Sequence, residues 1–322
     1  MTAPRLLVVG LGSMGRRRLR DARALGCEVA VCRRGPGDRD SGNGDAPDGI
    51  PVFAGLDAAA GWSPTHVVIC TPTSAHADAL RWAVEHGCHA LVEKPLADGE
   101  TPGLAELLEQ ARAAGLCVAV GCNLRFHPAV EAIRSAVVCG RLGRLLSVRA
   151  EVGQYLPDWH PGEDYRNGYA ARREMGGGAL LTLVHELDLV WWIAGPIASL
   201  TGVQQHVSDL ELDVDDLAEL VCRHASGVVS SVHMDFLDRS YNRRSRWVGS
   251  DATAEWIWGG PALLHLPGDR REQLWEDPGF SLESTYAAEL ADFLAASAAG
   301  REPRTPAADA LGVLRAAGGV GS

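Results

Sequence analysis

The sequence contains no run of about 18 apolar residues, the length needed for a helix that spans a membrane. Its eight cysteines form no C-x-x-C pair, so we predict neither a disulfide framework nor a zinc site, and we expect reduced, buried thiols. The apolar run near the start is too short for a signal peptide. We therefore expect a cytoplasmic protein without a metal site or a membrane partner.

Basic residues are outnumbered, because 30 lysines and arginines face 41 acidic residues and leave a net charge of -11. A nucleic-acid partner requires a basic face, so this partner class is excluded. Apolar residues make up 46% and charged residues 22%, which is typical of a globular protein. A chain of 322 residues exceeds one ordinary core, and two domains are expected.

Short β-type runs alternate with helical stretches over residues 1–122, as in "RLLVV", "EVAVC" and "HVVIC". This alternation is typical of a parallel sheet with crossover helices. We therefore predict an α/β first domain, a Rossmann doubly wound parallel sheet that binds a dinucleotide. The segment 35–49 is rich in Gly, Asp and Pro, which indicates a surface excursion.

Strand-like segments follow one another directly in residues 123–322, apart from helices predicted near 128–139 and 178–193. "VVSSVHMDFL" alternates with a period of two, and "ASG" and "GSD" mark hairpin turns. We predict an α+β second domain for substrate binding and oligomerisation, with an open, mainly antiparallel sheet. Trp247, Trp256 and Trp258 are expected on its outer face, where they would drive assembly into a homodimer or homotetramer.

A glycine pattern follows the first β run and opens the first helix. Gly10, Gly12 and Gly15 make G-x-G-x-x-G, with Ser13 and Met14 between the last two glycines. Such glycines permit a tight turn and a close approach of the backbone to a pyrophosphate at the helix start. These five residues are predicted to bind a dinucleotide.

The acidic residue that would bind the ribose of NAD(H) is missing about 20 residues further on. Arg33 and Arg34 stand in its place, and a guanidinium there pairs with a 2′-phosphate. NADP(H) is therefore favoured as the cofactor. NAD(H) stays open, since Asp38 or Asp40 could fold back toward the ribose, and the arginines could merely solvate a loop.

Longer motifs resemble one family. "VVICTPTSAHADAL", "GCHALVEKPLAD", "GCNLRFHP" and "GGGALLTLVHELDLVWWIAG" together resemble the Gfo/Idh/MocA oxidoreductases over essentially the whole chain. The resemblance implies a Rossmann domain, a second domain with an open antiparallel sheet, a nicotinamide cofactor, a sugar or cyclitol substrate, and dimers or tetramers.

The resemblance also implies roles for single residues. Lys94, in "VEKP", would reach the reacting hydroxyl or carbonyl, where an ammonium stabilises a developing alkoxide. Glu93 would lie near the nicotinamide ribose, and Asn123 beside the nicotinamide and the substrate. The cofactor cleft is expected to be lined further by Thr71, Pro72, Thr73 and His76.

His185 is the second catalytic candidate, as the group that shuttles a proton. Thr182, His185 and Asp188 are spaced by three and are expected on one helical face. Most relatives carry an aspartate where Thr182 stands, and a threonine cannot accept a proton near neutral pH. Either Lys94 and His185 suffice, or Asp188 supplies the carboxylate; we favour the first.

The segment "GQYLPDWHPGEDYR" is rich in aromatic residues, a composition that suits stacking on sugar rings. Its candidate substrate-binding residues are Tyr155, Trp159, Tyr165 and Arg166. A gate or interface loop is the alternative for this segment.

These features together predict an NAD(P)-dependent dehydrogenase or reductase. It would act on a secondary alcohol or ketone of a sugar, nucleotide sugar or cyclitol, in a biosynthetic pathway. Two alternatives remain: an enzyme that retains its nicotinamide and cleaves or epimerises glycosides by transient oxidation, and a non-catalytic nicotinamide-binding regulator.

Overall fold

The computed structural model describes residues 3–33, 49–99 and 101–320. The chain forms two compact units. The first comprises Met1–Cys122 and Glu283–Leu311, and the second comprises Asn123–Leu282 and Gly312–Ser322.

The first unit is built on a parallel sheet. Its elements are β1 (Arg5–Val9), α1 (Ser13–Ala24), β2 (Glu28–Cys32), β3 (Val52–Phe53), α2 (Leu56–Ala60), β4 (His66–Ile69), α3 (His76–Glu85), β5 (His89–Val92), α4 (Leu104–Ala113) and β6 (Val118–Val120). In the described residues the strand order is β3-β2-β1-β4-β5-β6, and every neighbouring pair is parallel. This is the Rossmann order, whose ligand crevice lies at the carboxyl ends of β1 and β4.

The second unit is built on a mainly antiparallel sheet. Its elements are α5 (Pro128–Val138), β7 (Leu145–Gly153), α6 (Ala179–Thr182), α7 (His185–Ala194), β8 (Ile197–Gln205), β9 (Leu217–His224), β10 (Val229–Asp235), β11 (Asn242–Gly249), β12 (Thr253–Ile257), β13 (Ala262–Leu266) and β14 (Arg270–Trp275). The strand order is β14-β13-β12-β11-β7-β10-β9-β8, and within the described residues only β7 and β10 pair in parallel. The predicted fold class is confirmed.

The tryptophan prediction was wrong about the face of this sheet. Trp247 and Trp256 are each 1% exposed and belong to the hydrophobic core, and Trp258 packs against that core. Along β11 the exposed residues are instead Arg244 and Arg246, which alternate with the buried positions. Alternation of residue types along a strand identifies two faces of the sheet, but it does not say which face packs against the core. In this sheet the apolar face is the one that packs against the core.

The helix predicted near 178–193 is also interrupted. α6 ends at Thr182, α7 begins at His185, and the helical axis bends by 50° between them. In the described residues no single helix is long and apolar enough to cross a membrane. The bent pair reaches the length and composition of a membrane span only when its two helical segments are counted together.

After β14 the chain enters α8 (Glu283–Ala299), followed by α9 (Ala307–Ala317). Residues 283–311 cluster with the first unit, so this segment interrupts the range 123–322 that the sequence suggested for the second domain. The physical reason is packing: Leu290, Phe293 and Ala296 of α8 share a core with the apolar residues of β1, β2 and β4.

A buried histidine at the start of β4 makes the first unit sensitive to acid. His66 contacts the hydroxyl of Thr65 at 2.8 Å through Nδ1 and that of Ser297 at 2.9 Å through Nε2. Its ring centroid lies 4.9 Å from that of His89. Burial, with a smaller contribution from His89, lowers the pKa of His66 from 6.5 to about 4.

We expect acid to destabilise the protein partly through His66. Between about pH 6.5 and pH 4 the unfolded chain binds a proton that the folded chain excludes, so stability is full above this window and falls as the pH drops through it. The loss from this residue is about 3 kcal/mol when the pH has fallen through the whole window. His66→Gln should make urea unfolding less dependent on pH between 7.5 and 4.5 than in the wild type, whereas His86→Gln, at an exposed site, should not. An unchanged pH dependence in His66→Gln would refute the assignment.

Candidate functional site

The glycine turn after β1 leaves no room for side chains. Gly10 has φ +90°, and a Cβ there would lie 2.7 Å from the carbonyl oxygen of Cys70. A Cβ at Gly15 would lie 2.0 Å from the carbonyl oxygen of Gly10. The turn is therefore closed against β4 on one side and against α1 on the other.

The start of α1 fits the pyrophosphate of a dinucleotide. Gly12 precedes the helix, and no side chain caps the helix start. The first turn of this described helix, which begins with Ser13 and Met14, contains no acidic residue. Uncapped amide groups at a helix start favour an anion. Nearby, the buried Oγ1 of Thr71 has no hydrogen-bond partner among the described residues, as expected of a group that meets a ligand.

Arg33 lies at the carboxyl end of β2, on the same sheet edge as the glycine turn. The amide of Gly10 donates to the carbonyl of Cys32 at 2.9 Å, and the amide of Arg33 donates to Phe53 at 3.0 Å. Arg34 lies outside the described residues, as do Asp38 and Asp40.

The segment after β4 is folded back against the loop that follows β5. Pro72 precedes a short 3-10 helix that begins at the buried Thr73. His76 is 1% exposed, and its Nδ1 and Nε2 lie 2.8 Å and 2.9 Å from the carbonyl oxygens of Pro95 and Thr71. Both ring nitrogens thus face backbone atoms. His76 holds two loops together and does not present its ring to the cleft, contrary to expectation.

Lys94 follows β5 at the carboxyl edge of the sheet, and its peptide bond to Pro95 is cis. It is the only lysine in the chain, because the 30 basic residues are 29 arginines and one lysine. An arginine cannot release its proton at any ordinary pH, whereas a lysine can. The one titratable side-chain amine therefore stands in the Glu-Lys-Pro sequence, for which a catalytic role is predicted.

Glu93, next to Lys94, is held by a buried arginine. Arg18 of α1 is fully buried, and its Nε donates to Glu93 Oε1 at 2.8 Å. The same guanidinium donates from Nη2 to Glu289 Oε2 at 2.5 Å and from Nη1 to the carbonyl of Tyr286 at 3.1 Å. Burial opposes the charge, but the two carboxylates outweigh it and raise the pKa of Arg18. The Glu93 carboxylate, expected near the ribose, is thus engaged within the protein.

In the second unit the helix that starts at His185 is fixed by two buried ion pairs. Arg125 binds Asp188 with two hydrogen bonds, 2.9 Å from Nε and 2.6 Å from Nη2. Arg243 binds Glu186 at 2.8 Å from Nε. All four side chains are at least nine-tenths buried. Such paired arginines fix both position and orientation, so α7 holds His185 in a defined place.

Asp188 is therefore a structural partner of Arg125. Both oxygens of its carboxylate accept from that guanidinium, and the two alternatives left by the sequence for proton transfer remain predictions. Thr182, 2% exposed, ends α6 one turn before His185, and Asn123 is buried in the short helix that also carries Arg125. Their assignments to cofactor and substrate remain predictions.

Asp215 holds the start of α6, the helix that carries the candidate Thr182, and sequence reasoning missed it. Its Oδ2 accepts from the amide of Leu180 at 2.9 Å, and its carbonyl accepts from Ala179 at 3.0 Å, so it caps α6. Gly178 has φ +110°, and a Cβ there would lie 2.3 Å from Asp215 Oδ1. The signal available in the sequence was the glycine triplet before α6, whose last member this carboxylate explains.

The aromatic segment after β7 is largely engaged within the second unit. The ring of Tyr155 is covered by the guanidinium of Arg239 at 3.7 Å, and Trp159 donates to the carbonyl of Gln154 at 3.3 Å. Tyr165 Oη accepts from the amide of Glu211 at 3.1 Å. Arg166 bonds to Asp164 at 2.8 Å and to Glu211 at 3.1 Å. These contacts order the segment, and its substrate-binding role remains a prediction.

Candidate metal ligands do not cluster in the part of the chain that the structure describes: no group of three His, Cys, Asp or Glu side chains could hold an ion there. All eight cysteines are free, and most are buried.

Two family models match the chain. The model described as an oxidoreductase family with an NAD-binding Rossmann fold matches residues 5–122. The model of the GFO/IDH/MocA C-terminal domain matches residues 130–255. Together they cover most of both units.

Individual relatives are distant. The chain is 26% identical over 232 residues to 1,5-anhydro-D-fructose reductase of Ensifer adhaerens, which covers 69% of this chain and 67% of the relative. It is 27% identical over 325 residues to myo-inositol dehydrogenase Hyg17 of Streptomyces leeuwenhoekii, covering 94% and 90%. Among solved structures, UDP-N-acetylglucosamine 3-dehydrogenase GnnA from Acidithiobacillus ferrooxidans superposes with a TM-score of 0.80 at 24% identity, covering 98% and 96%. At that identity the last likeness shows the fold alone.

Proposed function

The chain belongs to the Gfo/Idh/MocA oxidoreductase family, and from this membership we propose that it is an NAD(P)-dependent dehydrogenase or reductase of a sugar, nucleotide sugar or cyclitol. The reacting group is a secondary alcohol or ketone. The names of the relatives, which include a reductase of a sugar derivative and a cyclitol dehydrogenase, support this substrate class.

The observation that carries the proposal is the single lysine. In a chain whose other 29 basic residues are arginines, the amine stands in the motif at the end of β5. A permanent guanidinium would supply charge at this place, but it would not exchange a proton. A lysine at this position, rather than an arginine, is expected when the site must both stabilise an alkoxide and move a proton.

The residues divide the chemistry between them. A bound nicotinamide supplies hydride transfer. Lys94 donates to the reacting oxygen and stabilises its developing charge, and Lys94 and the imidazole of His185 together exchange the proton. Thr182 binds and orients a substrate hydroxyl. The cofactor is held by the glycine turn, the start of α1 and the residues after β4.

For the cofactor, Arg33 and Arg34 support NADP(H) over NAD(H), because in the sequence they stand where the ribose-binding acid is absent, and Arg33 directly follows β2. An NADP(H) preference favours reduction of a keto intermediate in a biosynthetic pathway. Oxidation of NADPH in a screen of keto-sugars, followed at the nicotinamide absorbance, tests the activity directly. Failure of every keto-sugar and cyclitol ketone to react would refute the proposed substrate class.

We expect Lys94→Ala and Lys94→Arg to be equally impaired, each losing about a hundredfold or more in turnover, because neither supplies a titratable amine. His185→Asn should lose a similar factor. Cofactor affinity, measured by quenching of protein fluorescence, should change little in all three. Thr182→Val should act mainly on KM for the substrate.

Asp188→Asn is the informative comparison for this prediction. It is expected to lower the free energy of unfolding by about 3 kcal/mol, because it weakens the buried contact with Arg125. Its pH profile should match the wild type. If His185→Asn turned over at the wild-type rate while a folded Asp188→Asn was inactive, the carboxylate at 188 would be the working group.

We expect the double variant Arg33→Ala/Arg34→Ala to bind NADP(H) about 10- to 100-fold more weakly, with NAD(H) binding little changed. The reason is the loss of charge-assisted hydrogen bonds to the 2′-phosphate. Arg23→Ala/Arg81→Ala, at two exposed positions, is the charge-matched control. Equal affinities for the two cofactors, both before and after the change, would contradict the preference.

Self-association is proposed through the outward face of the eight-stranded sheet. This face carries cross-strand ion pairs, among them Arg244 with Glu151 and His233 with Glu219, each at 2.6 Å, and exposed apolar residues such as Val221 and Ile257. A wide face of mixed charge and apolar patches suits a second copy of the chain.

We expect sedimentation to show a dimer or tetramer at micromolar concentration, and Val221→Glu/Ile257→Glu to shift it toward monomer. High salt should weaken the assembly because charged contacts contribute to it. Val52→Glu, at an exposed position in the first unit, should leave it intact. A wild-type monomer under all conditions would refute the proposal.

A further inference from the structure

We propose that Arg18 and Glu289 are positioning residues for Lys94: they hold the Glu93 carboxylate, and with it the turn that carries the lysine, at the carboxyl end of β5. This inference rests on the catalytic role proposed for Lys94. Neither residue belongs to the motifs that pointed to the site.

The guanidinium of Arg18 bridges the carboxylates of Glu93 and Glu289. Arg18 donates to Glu93 Oε1 at 2.8 Å from Nε, and Glu289 Oε2 accepts from the same guanidinium at 2.5 Å. The exposed fractions of the Arg18, Glu93 and Glu289 side chains are 0%, 9% and 1%. Water therefore does little to screen these charges, and each geometry is fixed by direct contact.

The other side of the turn is anchored as well. His76 contacts the carbonyl oxygen of Pro95 at 2.8 Å, directly after Lys94. The residue before the lysine is thus held through its side chain, and the residue after it through its backbone. Because the residues on both sides of Lys94 are held, the backbone of the lysine has a fixed position. A fixed backbone is the first requirement for orienting a catalytic side chain.

The second carboxylate fixes the orientation of the guanidinium. Glu93 and Glu289 accept from different nitrogens of Arg18, so a rotation of the guanidinium away from Glu93 would also break its contact with Glu289.

The first experiment compares Glu289→Gln with Glu283→Gln in the full-length protein. Both residues lie on α8 and both bind arginines of α1, but the Arg17–Glu283 pair is exposed and lies outside the proposed site. We expect Glu289→Gln to lower kcat by about tenfold with cofactor KM changed less than twofold, while Glu283→Gln changes neither.

The single lysine supplies a direct readout. Reductive methylation with ¹³C-formaldehyde labels only Lys94 and the amino terminus, so one resonance reports the surroundings of the lysine at a fixed pH without any cofactor. We expect this resonance to shift and broaden in Glu289→Gln, because the turn is held less firmly, and to match the wild type in Glu283→Gln. A resonance and a kcat that match those of Glu283→Gln, with only stability lowered, would overturn the proposal.

A double-mutant cycle separates this inference from the function on which it rests. If Glu289 acts through the lysine, Glu289→Gln should add no further loss of turnover to Lys94→Ala. Independent, multiplying losses would overturn the positioning role. Full activity of Lys94→Ala would refute the catalytic assignment instead, and the lysine resonance would still report whether the cluster holds the turn in place.

Arg18→Lys guards against a variant that does not fold. It keeps one buried positive charge but cannot donate to two carboxylates in the same fixed geometry. We expect it to fold, to lose kcat, and to retain cofactor binding. Wild-type kcat in folded Arg18→Lys would overturn the proposal.

Discussion

The first unit depends on one fully buried guanidinium. Arg18 lies on α1, directly behind the glycine turn, and binds the carboxylate after β5 and a carboxylate of α8. A buried arginine is tolerated only when its charge and its donors are satisfied, so these elements must meet at one point. This requirement explains why a helix that follows the second unit in the chain belongs to the first.

Both candidate proton-transfer residues have the same kind of support. Glu93 precedes Lys94 and is held by Arg18; Glu186 follows His185 and is held by Arg243. In each case a buried ion pair fixes the residue next to the proposed catalytic group. Burial of such charges costs stability, and it fixes the orientation of the backbone beside that group.

The sequence predicted what is encoded locally. The β1–glycine turn–α1 unit follows from apolar runs and glycine spacing, and the parallel strand order follows from alternation of strands and helices. The ion pairs escaped prediction because their partners are far apart in the chain: 75 residues for Arg18 and Glu93, 271 for Arg18 and Glu289, and 63 for Arg125 and Asp188. Trp247 was assigned to the wrong face for a related reason, since a period of two identifies two faces, and only tertiary packing decides which is buried.

The late position of α8 in the chain has a consequence for synthesis on the ribosome. The six strands of the Rossmann sheet have all emerged once residue 120 has left the exit tunnel, but Glu289 is still to be translated. Until it arrives, Arg18 has only one of its two carboxylates, and the apolar surface that Leu290 and Phe293 will cover faces water. The nascent amino-terminal half is therefore an incomplete folding unit that must wait for almost the entire chain, and during that wait it is a natural client for chaperones.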